Sequence, residues 1–123
     1  MPRAARSHEP GAVYHLTAHG VDDRPIFLDD SDRPAFVALL TRAQRKCAWR
    51  FYATCLMDTH YQLVLSSKTA QISDGMRNLN GGHSRVFNAH HGRRGALFES
   101  RYRERLIHSV VPEKSLSSGS GSS

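Results

Sequence analysis

Residues 57–67 read MDTHYQLVLSS, and their alternation constrains this chain more than any other feature. Successive side chains of a β-strand point to opposite faces, so Tyr61, Leu63 and Leu65 share one side while His60 and Gln62 share the other. A strand with an apolar core face therefore carries a histidine and an amide on its second face. Residues 12–19, AVYHLTAH, repeat the pattern, with Tyr14, Leu16 and Ala18 opposed to Val13, His15, Thr17 and His19. A third stretch, Arg50 to Met57, is predicted to turn Phe51, Ala53, Cys55 and Met57 toward the core and Tyr52 and Thr54 away. Asp58-Thr59 then forms the turn of a hairpin into the strand that holds His60.

Two helices fit between these strands. After Asp30 or Ser31, either of which can cap a helix, Phe36, Val37, Leu39, Leu40 and Ala43 recur at helical spacing. A second helix is predicted from Ser73, capped by that hydroxyl, with Ile72, Met76, Leu79, Val86 and Phe87 on one stripe. Gly81-Gly82 weakens it by roughly 1 kcal/mol per glycine. NAHHGRRGAL reads as a basic, glycine-punctuated loop, and Leu97 to Val110 as the last strand. The order β-α-β-β-α-β is the α+β, ferredoxin-like arrangement, an antiparallel-rich sheet with two helices on one face and strand 1 between strands 3 and 4. The opposite face then carries His15, Thr17, His19, Tyr52, Thr54, His60 and Gln62.

A polar sheet face needs no function, because antiparallel sheets commonly leave one face to water. Three histidines on two neighbouring strands are an unusual way to fill it, and they open a metal or general-base reading. Charge adds a second signal. The formal net charge is +6. Between Arg77 and Arg105 lie seven arginines against Glu99 and Glu104. Arginine forks onto phosphate, so a nucleic acid is the expected partner. Arg101, Arg103 and Arg105 alternate onto one side of the last strand, and Arg93 and Arg94 stand in the basic loop. His83, His90, His91 and His108 read as surface or nucleic-acid-adjacent residues, Trp49, Phe36, Phe51 and Phe87 as core, and Cys47 and Cys55 as buried thiols. No apolar run approaches the roughly 20 residues of a membrane span, and the basic N-terminus lacks an apolar signal core; the expected location is cytoplasmic. Residues 1–9 read as an N-terminal arm, 10–111 as the folded domain and 112–123 as a flexible Ser/Gly-rich tail.

Five segments carry a resemblance: PGAVYHLTA, DRPAF, CLMDTHYQLVL, MRNLNG and FNAHHGRRGALFESRY, in that order. Together they resemble the REP-associated tyrosine transposases, single-tyrosine enzymes of the HUH endonuclease fold, over about residues 10–108. The resemblance implies a ferredoxin-like sheet acting on single-stranded or hairpin DNA. It also implies a divalent ion, Mg²⁺ or Mn²⁺, held by a His-hydrophobic-His motif, and a tyrosine that attacks the phosphate. His60-Tyr61-Gln62 occupies the motif with glutamine as the second donor, and His15 on the neighbouring strand is a third candidate ligand. A neutral amide oxygen suits a hard cation but binds it weakly. The family's nucleophile stands on a helix after the last strand, where this chain reads LIHSVVPEKSLSSGSGSS. None of Tyr14, Tyr52, Tyr61 and Tyr102 matches it, so no catalytic residue is assigned.

The expectation is a transposase of this class, truncated and poorly active as this chain, acting as a monomer or homodimer. The competing expectation is a non-catalytic single-stranded DNA-binding module of the same origin. A hydrolase using His15, His60, Gln62 and an activated water is a weaker fit. So is an RNA-binding sheet, whose paired aromatics are lacking.

Overall fold

The computed structural model describes residues 8–110. Seven elements run β1 (Val13–His19), a 3₁₀ turn (Val21–Asp23), α1 (Asp32–Cys47), β2 (Trp49–Leu56), β3 (His60–Ser67), α2 (Ser73–His91) and β4 (Arg103–His108). The sheet order is β2-β3-β1-β4 with every neighbouring pair antiparallel. This is the ferredoxin-like α+β fold expected from the element order. The expected arm and tail lie largely outside the described residues. At the arm's end His8 Nε2 meets Glu104 Oε1 at 2.8 Å, and the Glu9 amide donates to the Tyr14 hydroxyl.

Alternation on the two central strands builds the core. Tyr14, Leu16 and Ala18 of β1 and Tyr61, Leu63 and Leu65 of β3 are all buried. They join Phe36, Leu40 and Ala43 of α1 and Met76, Leu79 and Phe87 of α2 in one apolar cluster. Burying a side chain such as Leu or Phe contributes roughly 1.5–3 kcal/mol. These faces therefore fix the strand register, since a one-residue slip would turn each of them to water. Trp49 closes the core beside Gly75, where a Cβ would stand 2.3 Å from the indole Cζ2. α2 runs unbroken through Gly81-Gly82; a Cβ at Gly82 would meet the Leu39 methyl of α1 at 3.4 Å, an ordinary van der Waals contact.

Several expectations need correction. In β2 the pairing steps from Phe51↔Leu65 to Ala53↔Val64, leaving Tyr52 as an extra, bulged residue. A bulge reverses the alternation beyond it. Thr54 and Leu56 therefore pair with Leu63 and Tyr61, while Cys55 pairs with Gln62 and is exposed rather than buried. Val37 and Val86 are exposed. Neither helix is capped by a serine hydroxyl: Ser31 bonds Asp29, and Ser73, inside α2, faces the Tyr102 hydroxyl. α2 absorbs the first four residues of the expected basic loop, Asn88 to His91. The last strand is shorter than expected; Phe98 makes only an isolated bridge to Gly20, and Arg101 precedes β4.

Candidate nucleic-acid interface

The helices leave one sheet face uncovered, and register places its side chains in rows across the strands. Thr17 of β1 pairs with Gln62 on β3 and Arg103 on β4, and Gln62 pairs with Cys55 on β2. The row thus reads Arg103, Thr17, Gln62, Cys55. The next row holds Arg105, His15, Val64 and Ala53. At the strand ends His19 pairs with His60, their rings stacked with centroids 4.8 Å apart.

The three expected ligands come together. His15 Nε2 lies 2.8 Å from Gln62 Oε1, and Gln62 Nε2 lies 3.4 Å from His60 Nε2. The Gln62 amide thus bridges two imidazoles. Its nitrogen can only donate, so His60 Nε2 faces it as an acceptor and spends its one lone pair on that contact. Turning the amide over would bring Oε1 beside that lone pair. These three donors fit a divalent ion only in part, because they are neutral and offer no carboxylate. Charge balance would have to come from an anionic ligand such as phosphate.

Of the five arginines singled out in the sequence, the fold brings two to this group: Arg103 and Arg105 are exposed beside Thr17 and His15. No carboxylate among the described residues forms an ion pair with either. Arg101 stands just before the strand. Arg93 and Arg94 follow α2, Arg93 resting over the Phe87 ring.

Tyrosines are placed elsewhere. Tyr14 and Tyr61 are buried, and burial pushes the Tyr61 phenol far up from its ordinary pKa. Tyr61 donates to Asn80 Oδ1 inside the core. Tyr102 packs against the core edge. Tyr52 is exposed on the open face, but its hydroxyl is aimed at Ser66 Oγ. Ser66 is four residues along β3 from Gln62, roughly 13 Å by strand rise. The stretch after β4, where the family's tyrosine helix would stand, lies beyond Val110, outside the described residues.

Three histidines read as surface residues are engaged in the structure. His83 is buried among Phe27, Phe36, Phe87 and Phe98 with Nε2 on the Ile26 carbonyl, and burial lowers its pKa. Met76, Leu79, His83 and Phe87 follow at three, four and four, so the helical stripe itself places His83 inside. His90 and His91 meet Asp29 and Asp32, and the ligand atoms of these four residues lie within 4.8 Å of one another. Nothing local in the sequence signals that grouping, because its partners stand about 60 positions apart.

The family model described as "Transposase IS200 like" matches residues 10–116. The chain belongs to the IS200-like transposases. None of the curated proteins compared with it matches. Among solved structures, this transposase-family chain is similar to a REP-associated tyrosine transposase bound to a REP hairpin. The TM-score is 0.67 at 14% identity, over 89% of this chain and 64% of that one. It thus spans just under two thirds of that protein's length. It is also similar to a protein of Deinococcus radiodurans assigned to the transposases, with TM-score 0.61 and 15% identity over 94% of this chain and 91% of that one. At such identities the likeness is one of fold. No helix among the described residues is long and apolar enough to cross a membrane.

Proposed function

We propose that this transposase-family chain binds single-stranded DNA, at the foot of a hairpin, on the uncovered face of its sheet. One observation carries the reading: the cross-strand rows set Arg103 and Arg105 beside the His15–Gln62–His60 group on a face that no helix covers. The two guanidinium groups supply forked, charge-assisted hydrogen bonds to backbone phosphates. Thr17 and the Gln62 amide add neutral hydrogen-bonding groups between them, and His15 and His60 hold that amide in place.

His60 and Gln62, with His15, are the residues that would hold Mg²⁺ or Mn²⁺, weakly, with DNA phosphate completing the charge. When bound there, such an ion would draw electron density from a phosphate oxygen. The side chains themselves position the strand and exclude nothing bulky, since the face is open. None of the four tyrosines reaches this group, so the complex of these 123 residues with DNA is non-covalent.

The test uses end-labelled hairpin DNA with a single-stranded flank, incubated with the protein and Mn²⁺. The expected result is a retarded band on a native gel that vanishes on a denaturing gel. Flank-bearing hairpin should also outcompete a blunt duplex of equal length. Equal competition would contradict single-strand recognition, and a band that survives denaturation but is lost in Tyr52→Phe would make Tyr52 a nucleophile.

A further inference from the structure

At the opposite side of the molecule from the open sheet face, the N-terminus of α1 meets the C-terminus of α2. We propose that Asp29, Asp32, His90 and His91 form a second metal site there, one that takes a Zn²⁺-like divalent transition ion and staples the two helix ends.

The site is already assembled. His90 Nε2 lies 2.8 Å from Asp29 Oδ2, and His91 Nε2 lies 2.8 and 3.1 Å from Asp32 Oδ2 and Oδ1. In a tetrahedral site with metal–ligand bonds of about 2.0–2.1 Å, neighbouring donors stand roughly 3.3 Å apart. Four donor atoms within 4.8 Å of one another therefore need only a small contraction. Two imidazole nitrogens and two carboxylate oxygens form a borderline donor set suited to Zn²⁺, and the two carboxylates balance its charge.

Each carboxylate is also oriented from outside the cluster. Asp29 Oδ1 accepts from the Ser31 amide and hydroxyl, which leaves Oδ2 toward His90. Asp32, 3% exposed, accepts the Leu28 and Asp29 amides on Oδ2, while Oδ1 faces only His91. Outer hydrogen bonds of this kind fix the direction of metal ligands. Burial works to raise the Asp32 pKa, but these amides and His91 hold it below the ordinary carboxylate value; Asp29 is lowered by Ser31 and His90. Both are anionic at neutral pH.

Consecutive helical residues diverge by about 100° around the axis. The His90 and His91 rings nevertheless converge, with centroids 4.4 Å apart at 65°. Their nitrogens face carboxylates on another element, and loading the site would make the nitrogens ligands in place of hydrogen-bond donors. Binding needs no electron transfer. A neutral imidazole moves its proton to Nδ1, and a protonated one releases it to solvent.

The experiment is a calorimetric titration of the intact protein with ZnCl₂, free of DNA, so its outcome is independent of the DNA-binding reading. The background is His60→Ala/Gln62→Ala, which removes two of the three donors of the open-face group. One Zn²⁺ per chain should bind, and Co²⁺ should give the intense visible absorption of a four-coordinate nitrogen and oxygen site. His90→Gln or Asp29→Asn, both at exposed positions, should weaken Zn²⁺ about tenfold or more, and the pair should abolish the Zn²⁺-dependent rise in Tm. Circular dichroism confirms that these variants are folded. Absence of saturable Zn²⁺ binding in the His60→Ala/Gln62→Ala background overturns the proposal, as does unchanged affinity after His90→Gln and Asp29→Asn.

Discussion

Replacing Arg103 and Arg105 with alanine should change how DNA affinity responds to salt, not merely how strong it is. Both side chains are exposed, sit on the open face opposite Thr17 and His15, and lack a carboxylate partner among the described residues. Each is therefore free to neutralise a phosphate. On single-stranded DNA each phosphate contact adds about 0.7 to the slope of log affinity against log salt, so losing two lowers it by about 1.4. Between about 50 and 200 mM salt, a slope difference of that size changes the ratio of wild-type to variant affinity by about sevenfold. The assay is fluorescence anisotropy of a labelled hairpin with a single-stranded flank, titrated at four salt concentrations. Arg42→Ala/Lys46→Ala is the control, because it removes the same charge from an exposed stretch of α1 on the covered side. The control should keep the wild-type slope. Equal slope losses in both pairs would mean that net charge, rather than the open face, governs binding.

Other perturbations report on the scaffold and the donor group. Gly75→Ala drives a methyl into the Trp49 indole at 2.3 Å; after about 1 kcal/mol of regained helix propensity, urea unfolding should show a net loss of roughly 1–3 kcal/mol. A variant as stable as wild type would mean that Trp49 can move. Gln62→His places a nitrogen donor beside His60 and should tighten Mn²⁺ binding by calorimetry in a His90→Gln/Asp29→Asn background; no gain would remove Gln62 from the metal group. Burial holds the His83 pKa below its unfolded value of about 6.5. The unfolded chain then binds the extra proton, so stability present above pH 6.5 is lost as pH falls through that value toward the folded pKa, by at most about 1.4 kcal/mol per pH unit. His83→Gln should flatten this acid limb in urea titrations between pH 7.5 and 5.5, and an unchanged limb would assign it to other groups.

What the sequence disclosed follows from how local each signal is. β1 and β3 alternate large apolar side chains with polar ones, so their faces were legible from period two; the His15–Gln62–His60 grouping also needed the strand order and the register that pairs Thr17 with Gln62. β2 was not. Ala53, Thr54 and Cys55 are small and tolerate either face, so nothing in them marks the extra residue at Tyr52, and all three lie on the side opposite to the one their alternation predicts. His83 was legible in its spacing, because it falls on the same helical stripe as Met76, Leu79 and Phe87, although histidine as a residue type points toward the surface. The His90–Asp29 and His91–Asp32 pairs join elements far apart in the chain, and only the packing of α1 on α2 brings them together.

The central claim is that DNA lies across the open sheet face, and the two cysteines offer a direct probe of it. Cys55 is exposed and pairs with Gln62 in the row that ends at Arg103, whereas Cys47 is buried in the core and burial raises its thiol pKa. The measurement is the rate of iodoacetamide alkylation at each cysteine, read by mass spectrometry, with and without saturating flank-bearing hairpin. Cys47 serves as the internal check that the fold stays closed. The expected result is rapid labelling of Cys55 in the free protein and strong protection in the complex, with Cys47 unreactive throughout. Bound DNA that leaves the Cys55 rate unchanged would place the interface on another surface and contradict the account.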